Sequence, residues 1–135
     1  MDSYHYRALK YLKLWLAVGW LLVTVVIVLS LIPKPPQLFT FNYADKLNHV
    51  VAYAVLMGWF VQIYRPPGIH VKFALGFMAM GVVIEFLQGL DVYRQFDIVD
   101  MLANIVGVTL AWVLARTGFS QLLIRFEQAV LTRRH

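Results

Sequence analysis

Cysteine is absent from these 135 residues, so no disulfide, thiolate nucleophile or cysteine-ligated metal can contribute to the fold or its chemistry. Charge is scarce as well. Only 14 % of the chain is Asp, Glu, Lys or Arg against 61 % hydrophobic, a balance far from that of a water-soluble domain. There is no internal repeat, no low-complexity tract and no composition shift that would divide residues 1–135 into more than one domain. A Gly-x-Ser-x-Gly elbow is also missing, which removes the usual setting for a serine nucleophile.

Long apolar runs are what the chain has instead. They cover residues 14–32, 47–64, 71–90 and 98–115. Each has about 18 to 20 residues, and at a rise of about 1.5 Å per residue each reaches about 27 to 30 Å, the thickness of a hydrocarbon core. The expected fold is therefore all-α, an integral membrane bundle of four transmembrane helices. The first run is longer than the apolar region of a secretory signal and no small-x-small site precedes Pro33, so it is expected to be retained. Beyond the fourth run, Phe119, Leu122, Leu123, Phe126 and Val130 recur at helical spacing with Arg125 and Gln128 between them. This pattern predicts a short amphipathic helix over residues 119–131 lying in the membrane interface, and residues 4–13 are expected to do the same.

The basic residues divide unevenly between the two sides of such a bundle. Arg7, Lys10, Lys13, Arg65, Lys72, Arg116, Arg125, Arg133 and Arg134 fall on one side, and Lys34, Lys46 and Arg94 on the other. The positive-inside rule then makes both termini and the second loop cytoplasmic. Acids show the reverse bias, with Asp45, Glu85, Asp91, Asp97 and Asp100 near the outer face and Asp2 and Glu127 inside. The net charge of +5 thus follows from topology. Basic residues at helix ends suit anionic headgroups and make nucleic acid an unsuitable partner. The first loop, residues 33–44, has Pro33, Pro35 and Pro36 followed by Phe39, Phe41 and Tyr43, which predicts a segment along the outer surface, placed to cap whatever lies beneath. Pro66, Pro67 and Gly68 predict a tight cytoplasmic turn, and residues 91–97 a short polar one.

A set of polar residues sits at the outer ends of the later helices. Asp45, His49 and Tyr53 recur every four residues with Lys46 beside them, so they share one face of the second helix. Glu85 and Gln88 lie near the outer end of the third, where Gly81, Glu85 and Gly89 form a stripe. Asp97, Asp100, Asn104, Gly107 and Ala111 follow helical spacing on the fourth, after Arg94 in the loop. Small residues permit close helix approach in lipid, and Ala103, Gly107, Ala111 and Ala115 make such a ladder. The three polar faces are expected to meet in a shallow outward-facing pocket. Five acids against Lys46 and Arg94 leave a formal charge of −3 with His49 neutral, a balance suited to protons, a metal ion or a cationic ligand group. His49, Glu85, Asp97 and Asp100 offer donors for zinc or a harder divalent ion, without a diagnostic metal spacing. No cofactor is required by the sequence. The expected structural pairs are Lys46 with Asp45, and Arg94 with Asp97 or Asp100, with Asn104 and Gln88 as interhelical hydrogen-bond donors and acceptors.

The ordered combination Asp45-Lys46-x-x-His49-x-x-x-Tyr53, Glu85-x-x-Gln88 and Arg94-x-x-Asp97-x-x-Asp100-x-x-x-Asn104-x-x-Gly107 resembles the VanZ-like family. It covers about residues 44–115, roughly half the chain. That family comprises small bacterial multi-helix membrane proteins, named for one that raises resistance to the glycopeptide teicoplanin. The resemblance implies a multi-pass protein of the bacterial cytoplasmic membrane and a context in the cell envelope. The leading expectation is a non-catalytic protein that binds an amphiphile in its outward pocket: a lipid-linked cell-wall precursor, a phospholipid headgroup or a glycopeptide. The ligand would be held by Asp45, Lys46, His49, Tyr53, Glu85, Gln88, Arg94, Asp97, Asp100 and Asn104. The alternative is a membrane-embedded hydrolase or transferase for a lipid-linked phosphate or glycosyl substrate, with His49, Glu85 and Asp100 as candidate catalytic groups and His49 and Glu85 as acid and base.

Overall fold

The computed structural model describes residues 4–132. They form five helices and no strand: α1 (Leu12–Leu31), α2 (Ala44–Ile63), α3 (Pro67–Gln88), α4 (Ile98–Leu114) and, after a 3-10 turn over Gly118–Gln121, α5 (Leu122–Thr132). Two of them, α1 and α3, are long and apolar enough to cross a membrane by themselves. A third span is obtained only if α4 and the segment Gly118–Leu131 are taken together, and these are bent by 77° relative to each other.

The helix limits follow local chemistry more than hydropathy. Helix α2 begins at Ala44, ahead of the apolar run, so Asp45 and Lys46 lie in its first turn. The residue before it, Tyr43, takes a left-handed conformation at φ 63°, which costs a side-chain-bearing residue on the order of 1 kcal/mol and turns the chain sharply into the helix. Helix α3 begins at Pro67, earlier than expected, because proline suits the first helical turn where its missing N–H is not needed. Asp97 caps α4, its carboxylate accepting from the Val99 N–H at 2.8 Å.

Helix α2 is the axis of the bundle. Tyr53, Leu56, Met57, Phe60, Val61 and Ile63 are all 2 % exposed or less, with α1, α3 and α4 packed around them. Phe60 stacks on Phe73 of α3 at 4.5 Å between ring centroids and meets Trp20 of α1 edge-on at 5.2 Å. The small ladder of α4 faces α2. A Cβ added at Gly107 would run into the Val50 carbonyl oxygen and come within 3.0 Å of the Ala54 nitrogen, so only glycine permits this approach. The outer surface is apolar: Leu14, Leu21, Val25 and Val28 on α1, Leu75, Val83 and Phe86 on α3, and Leu102, Val106 and Leu110 on α4 are exposed. An apolar surface this continuous needs lipid or protein to cover it.

The amino-terminal segment departs from expectation. In place of an interfacial helix, Tyr6 makes an isolated antiparallel bridge with Tyr64; Arg7 N–H donates to the Ile63 carbonyl at 2.9 Å and Arg65 N–H to the His5 carbonyl at 3.0 Å. Pro66 and Pro67 end α2 and leave its last backbone groups in need of partners, which this segment supplies. Leu9 then packs with Ile63 and Leu123 in a second small core beneath α5. The tail expected as one helix over residues 119–131 is the 3-10 turn followed by α5.

Candidate functional site

The polar faces of α2, α3 and α4 do meet, at the end of the bundle where α2 begins. Lys46 lies at their centre. Its ammonium reaches Asp97 and Asp100 at 2.5 Å each and Asp45 at 3.0 Å, so one cation bridges α2 to the start of α4. The Lys46 hydrogen bond holds the Asp97 carboxyl below the usual carboxylate range, with the Val99 N–H adding to it. His49, one turn further along α2, places Nδ1 2.8 Å from Asn104 Oδ1 and Nε2 3.5 Å from Asp100 Oδ2. An amide oxygen only accepts, so Nδ1 carries the proton in this pair, and Nε2 is left to accept or, if also protonated, to pair with Asp100.

Glu85 is placed differently from the expectation that it faces a ligand. It is 1 % exposed, one oxygen accepts from the Asp97 backbone N–H at 2.8 Å, and the other is buried without a hydrogen-bond partner. The Tyr53 hydroxyl is likewise buried and unpartnered. Gly81 lets these groups pack closely, since a Cβ there would lie 3.0 Å from Asn104 Nδ2 and 3.3 Å from Tyr53 Cε1. Gln88 and Arg94 both donate to the carbonyl of Ser30 at the end of α1, at 2.7 and 2.5 Å. Arg94 therefore does not form the expected ion pair with Asp97 or Asp100. Lys46 already occupies those carboxylates, and the end of α1 leaves a carbonyl that needs a donor.

A cleft of about 320 Å3 opens beside this cluster. Asp45, His49, Tyr53, Gln88, Arg94 and Asp100 line it together with Val26, Leu29 and Ala52, and Pro35, Pro36 and Leu38 of the first loop complete the lining. Of the ten residues singled out in the sequence, those six reach the cleft. Lys46, Glu85, Asp97 and Asn104 stand behind it and hold it in shape. The sequence reading missed Asn48, Gln95 and Gln37, which also line the cleft; Asn48 donates to Gln37, tying the loop to α2. Their signal was weak, because solvated amides in a loop and on a polar helix end look alike. Among the described residues no group of three or more His, Asp or Glu side chains is arranged to hold a metal ion, so His49, Glu85, Asp97 and Asp100 do not converge as ligands. Lys46 has taken the place a cation would fill.

At the other end of the bundle, Glu127 of α5 is 4 % exposed and accepts from Lys10 N–H at 2.7 Å, Tyr11 N–H at 3.0 Å and the Trp15 indole at 2.5 Å. Burial pushes its carboxyl up, and the three donors more than reverse this, leaving it below the usual range. It caps α1 from a distant part of the chain, a role its position in an amphipathic tail did not announce.

No protein-family model, curated protein or solved structure matches this chain.

Proposed function

We propose that this chain is a four-span protein of the bacterial cytoplasmic membrane, VanZ-like by its motif pattern, whose outward cleft binds an amphiphile of the cell envelope. The observation that carries this reading is the mixed lining of the cleft, in which acids, amides, His49 and Arg94 share the surface with Val26, Leu29 and Ala52. A headgroup and the start of its acyl or prenyl chain need such a pairing. The four-span topology is supported by the position of α2. Its mean hydropathy is lowered by Asp45, Lys46, Asn48 and His49, which are gathered in its first two turns and leave most of the rest of the helix apolar, and α4, at 17 residues, is about 26 Å long. The uneven distribution of Lys and Arg supports cytoplasmic termini.

Arg94 is the cation that faces the ligand, since Lys46 is occupied by three carboxylates. Anionic groups such as a diphosphate would contact Arg94, and amines or sugar hydroxyls Asp45 and Asp100. The test is binding of teicoplanin and of a polyprenyl diphosphate to the purified protein in lipid nanodiscs. Arg94→Gln is expected to weaken diphosphate binding at least about tenfold, the loss of one charge-assisted hydrogen bond. His49→Ala should weaken both ligands. Binding unchanged in both variants refutes the cleft as the site; failure of teicoplanin to bind wild-type protein removes the link to glycopeptides, and failure of the polyprenyl diphosphate the link to cell-wall precursors.

One observation favours the enzyme reading enough to state it. His49 lines the cleft with Nε2 facing Asp100, an imidazole and a carboxylate side by side at its wall. Of the three candidate catalytic groups, His49 and Asp100 are the pair that can reach a substrate; Glu85 is sealed behind them. Turnover of a lipid phosphate that is lost in His49→Gln at unchanged stability would establish this reading over simple binding.

A further inference from the structure

At the end of the bundle opposite the acidic cleft, three of the arginines share one cleft. Arg7 on the amino-terminal segment, Arg65 at the turn between α2 and α3, and Arg125 on α5 line an open cleft of about 710 Å3. Among the described residues none of the three pairs with a carboxylate; Arg125 donates to the side chain of Gln121 at 3.2 Å, and Glu127 is engaged by Lys10, Tyr11 and Trp15. The Nε of Arg7 is buried without a partner. Burial, and then the neighbouring Arg65 guanidinium, lower the pKa of Arg7, as expected of a partly desolvated cation near a like charge.

Their closeness is built into the backbone. Arg7 N–H donates to the Ile63 carbonyl and Arg65 N–H to the His5 carbonyl on either side of the Tyr6–Tyr64 bridge, so the two arginines flank the bridge on a diagonal, a spacing that long side chains can span. A planar guanidinium presents its N–H groups as a fork that fits phosphate oxygens, and a pair fixed in advance loses little freedom on binding. We propose that this cleft is an anion site for a phosphate group, with Arg7 and Arg65 as the clamp and Arg125 at the rim. A phospholipid headgroup and free phosphate share this chemistry. The site is independent of the amphiphile cleft, which lies at the far end of α2.

The test uses the full chain in phosphatidylcholine nanodiscs, with phosphatidic acid added to the disc in one arm and inorganic phosphate added to the buffer in the other. Affinity is read from the ligand-dependent rise in melting temperature, with chloride as the blank. Arg7→Gln combined with Arg65→Gln is expected to weaken binding at least about tenfold, corresponding to one lost charge-assisted hydrogen bond. Arg125→Gln should weaken it severalfold, and Lys72→Gln, an exposed charge outside the cleft, should leave it unchanged. A response to phosphatidic acid alone assigns a lipid headgroup, and a response to inorganic phosphate assigns a soluble ligand. No response in either arm overturns the proposal, as does an equal loss in Lys72→Gln, which would mean diffuse charge attraction. If the double variant does not fold, wild type, Arg125→Gln and Lys72→Gln decide the question by the same criteria.

Discussion

Gly107→Ala tests the packing that brings the polar faces together. The new methyl group would overlap the Val50 carbonyl oxygen and sit 3.0 Å from the Ala54 nitrogen, both of them backbone atoms of α2. No side-chain rotation relieves the clash, so α4 must move away from α2. Overpacking costs about 1 to 3 kcal/mol, and a backbone clash belongs at the upper end. Alanine returns up to about 1 kcal/mol through helix propensity. The net loss is about 2 kcal/mol, roughly a 30-fold change in the unfolding constant. The Lys46–Asp100 and His49–Asn104 contacts cross the same interface and should lengthen with it, so ligand binding at the acidic cleft should weaken as well. The assay is denaturation of the detergent-solubilised protein, with Gly76→Ala as the control. Nothing lies within 4 Å of a Cβ at Gly76, and that variant should gain up to about 1 kcal/mol. A Gly107→Ala protein as stable as wild type would refute the reasoning.

Glu127→Gln removes the charge that caps α1 and should cost about 2 kcal/mol, measured by thermal melting; a change near zero would mean that Lys10, Tyr11 and Trp15 find other acceptors. Asp97 and Glu127 both have folded pKa values below their unfolded ones, so the stability they contribute is present above about pH 4.5 and is lost as pH falls through the depressed values. The melting temperature should therefore drop on acidification, less steeply in Glu127→Gln, and an identical profile in that variant would exclude Glu127 as a cause. Lys46→Met leaves Asp45, Asp97 and Asp100 without their common cation and should destabilise by about 2 kcal/mol, between the values for exposed and buried pairs; normal membrane abundance and melting in this variant would count against a structural role. Tyr53→Phe deletes a buried hydroxyl that has no partner and should be neutral or stabilise by about 1 kcal/mol. A loss of stability there would mean that the hydroxyl is bound.

The helical class, the pairing of Lys46 with Asp45 and the interhelical role of Asn104 and Gln88 were legible in the sequence because each depends on spacing along one helix or on the cost of a polar group among apolar ones. Helix ends were less legible. Hydropathy marks where a chain is apolar, whereas α2 and α3 begin where Tyr43 turns and where proline fits. The amino-terminal segment was misread as a helix because its apolar residues suit either form; the free backbone groups at the end of α2 decided the matter.

By itself, the sequence determined that the chain is helical and that the helices now seen as α1 and α3 are long and apolar enough to cross a membrane, since composition and periodicity are properties of the chain alone. It also brought His49 and Tyr53 onto one face, and Asp100 and Asn104 onto another. Tertiary structure decided which carboxylates Lys46 neutralises, that Arg94 turns to Ser30, that Glu85 is sealed while His49 and Asp100 reach the cleft, and that Arg7 and Arg65 line one cleft. The physical reason is reach. A side chain's partner is whatever lies within a few ångströms, and these partners are brought there from 51 residues away or more for Lys46 with Asp97 and for Arg94 with Ser30, by the way the helices pack around α2.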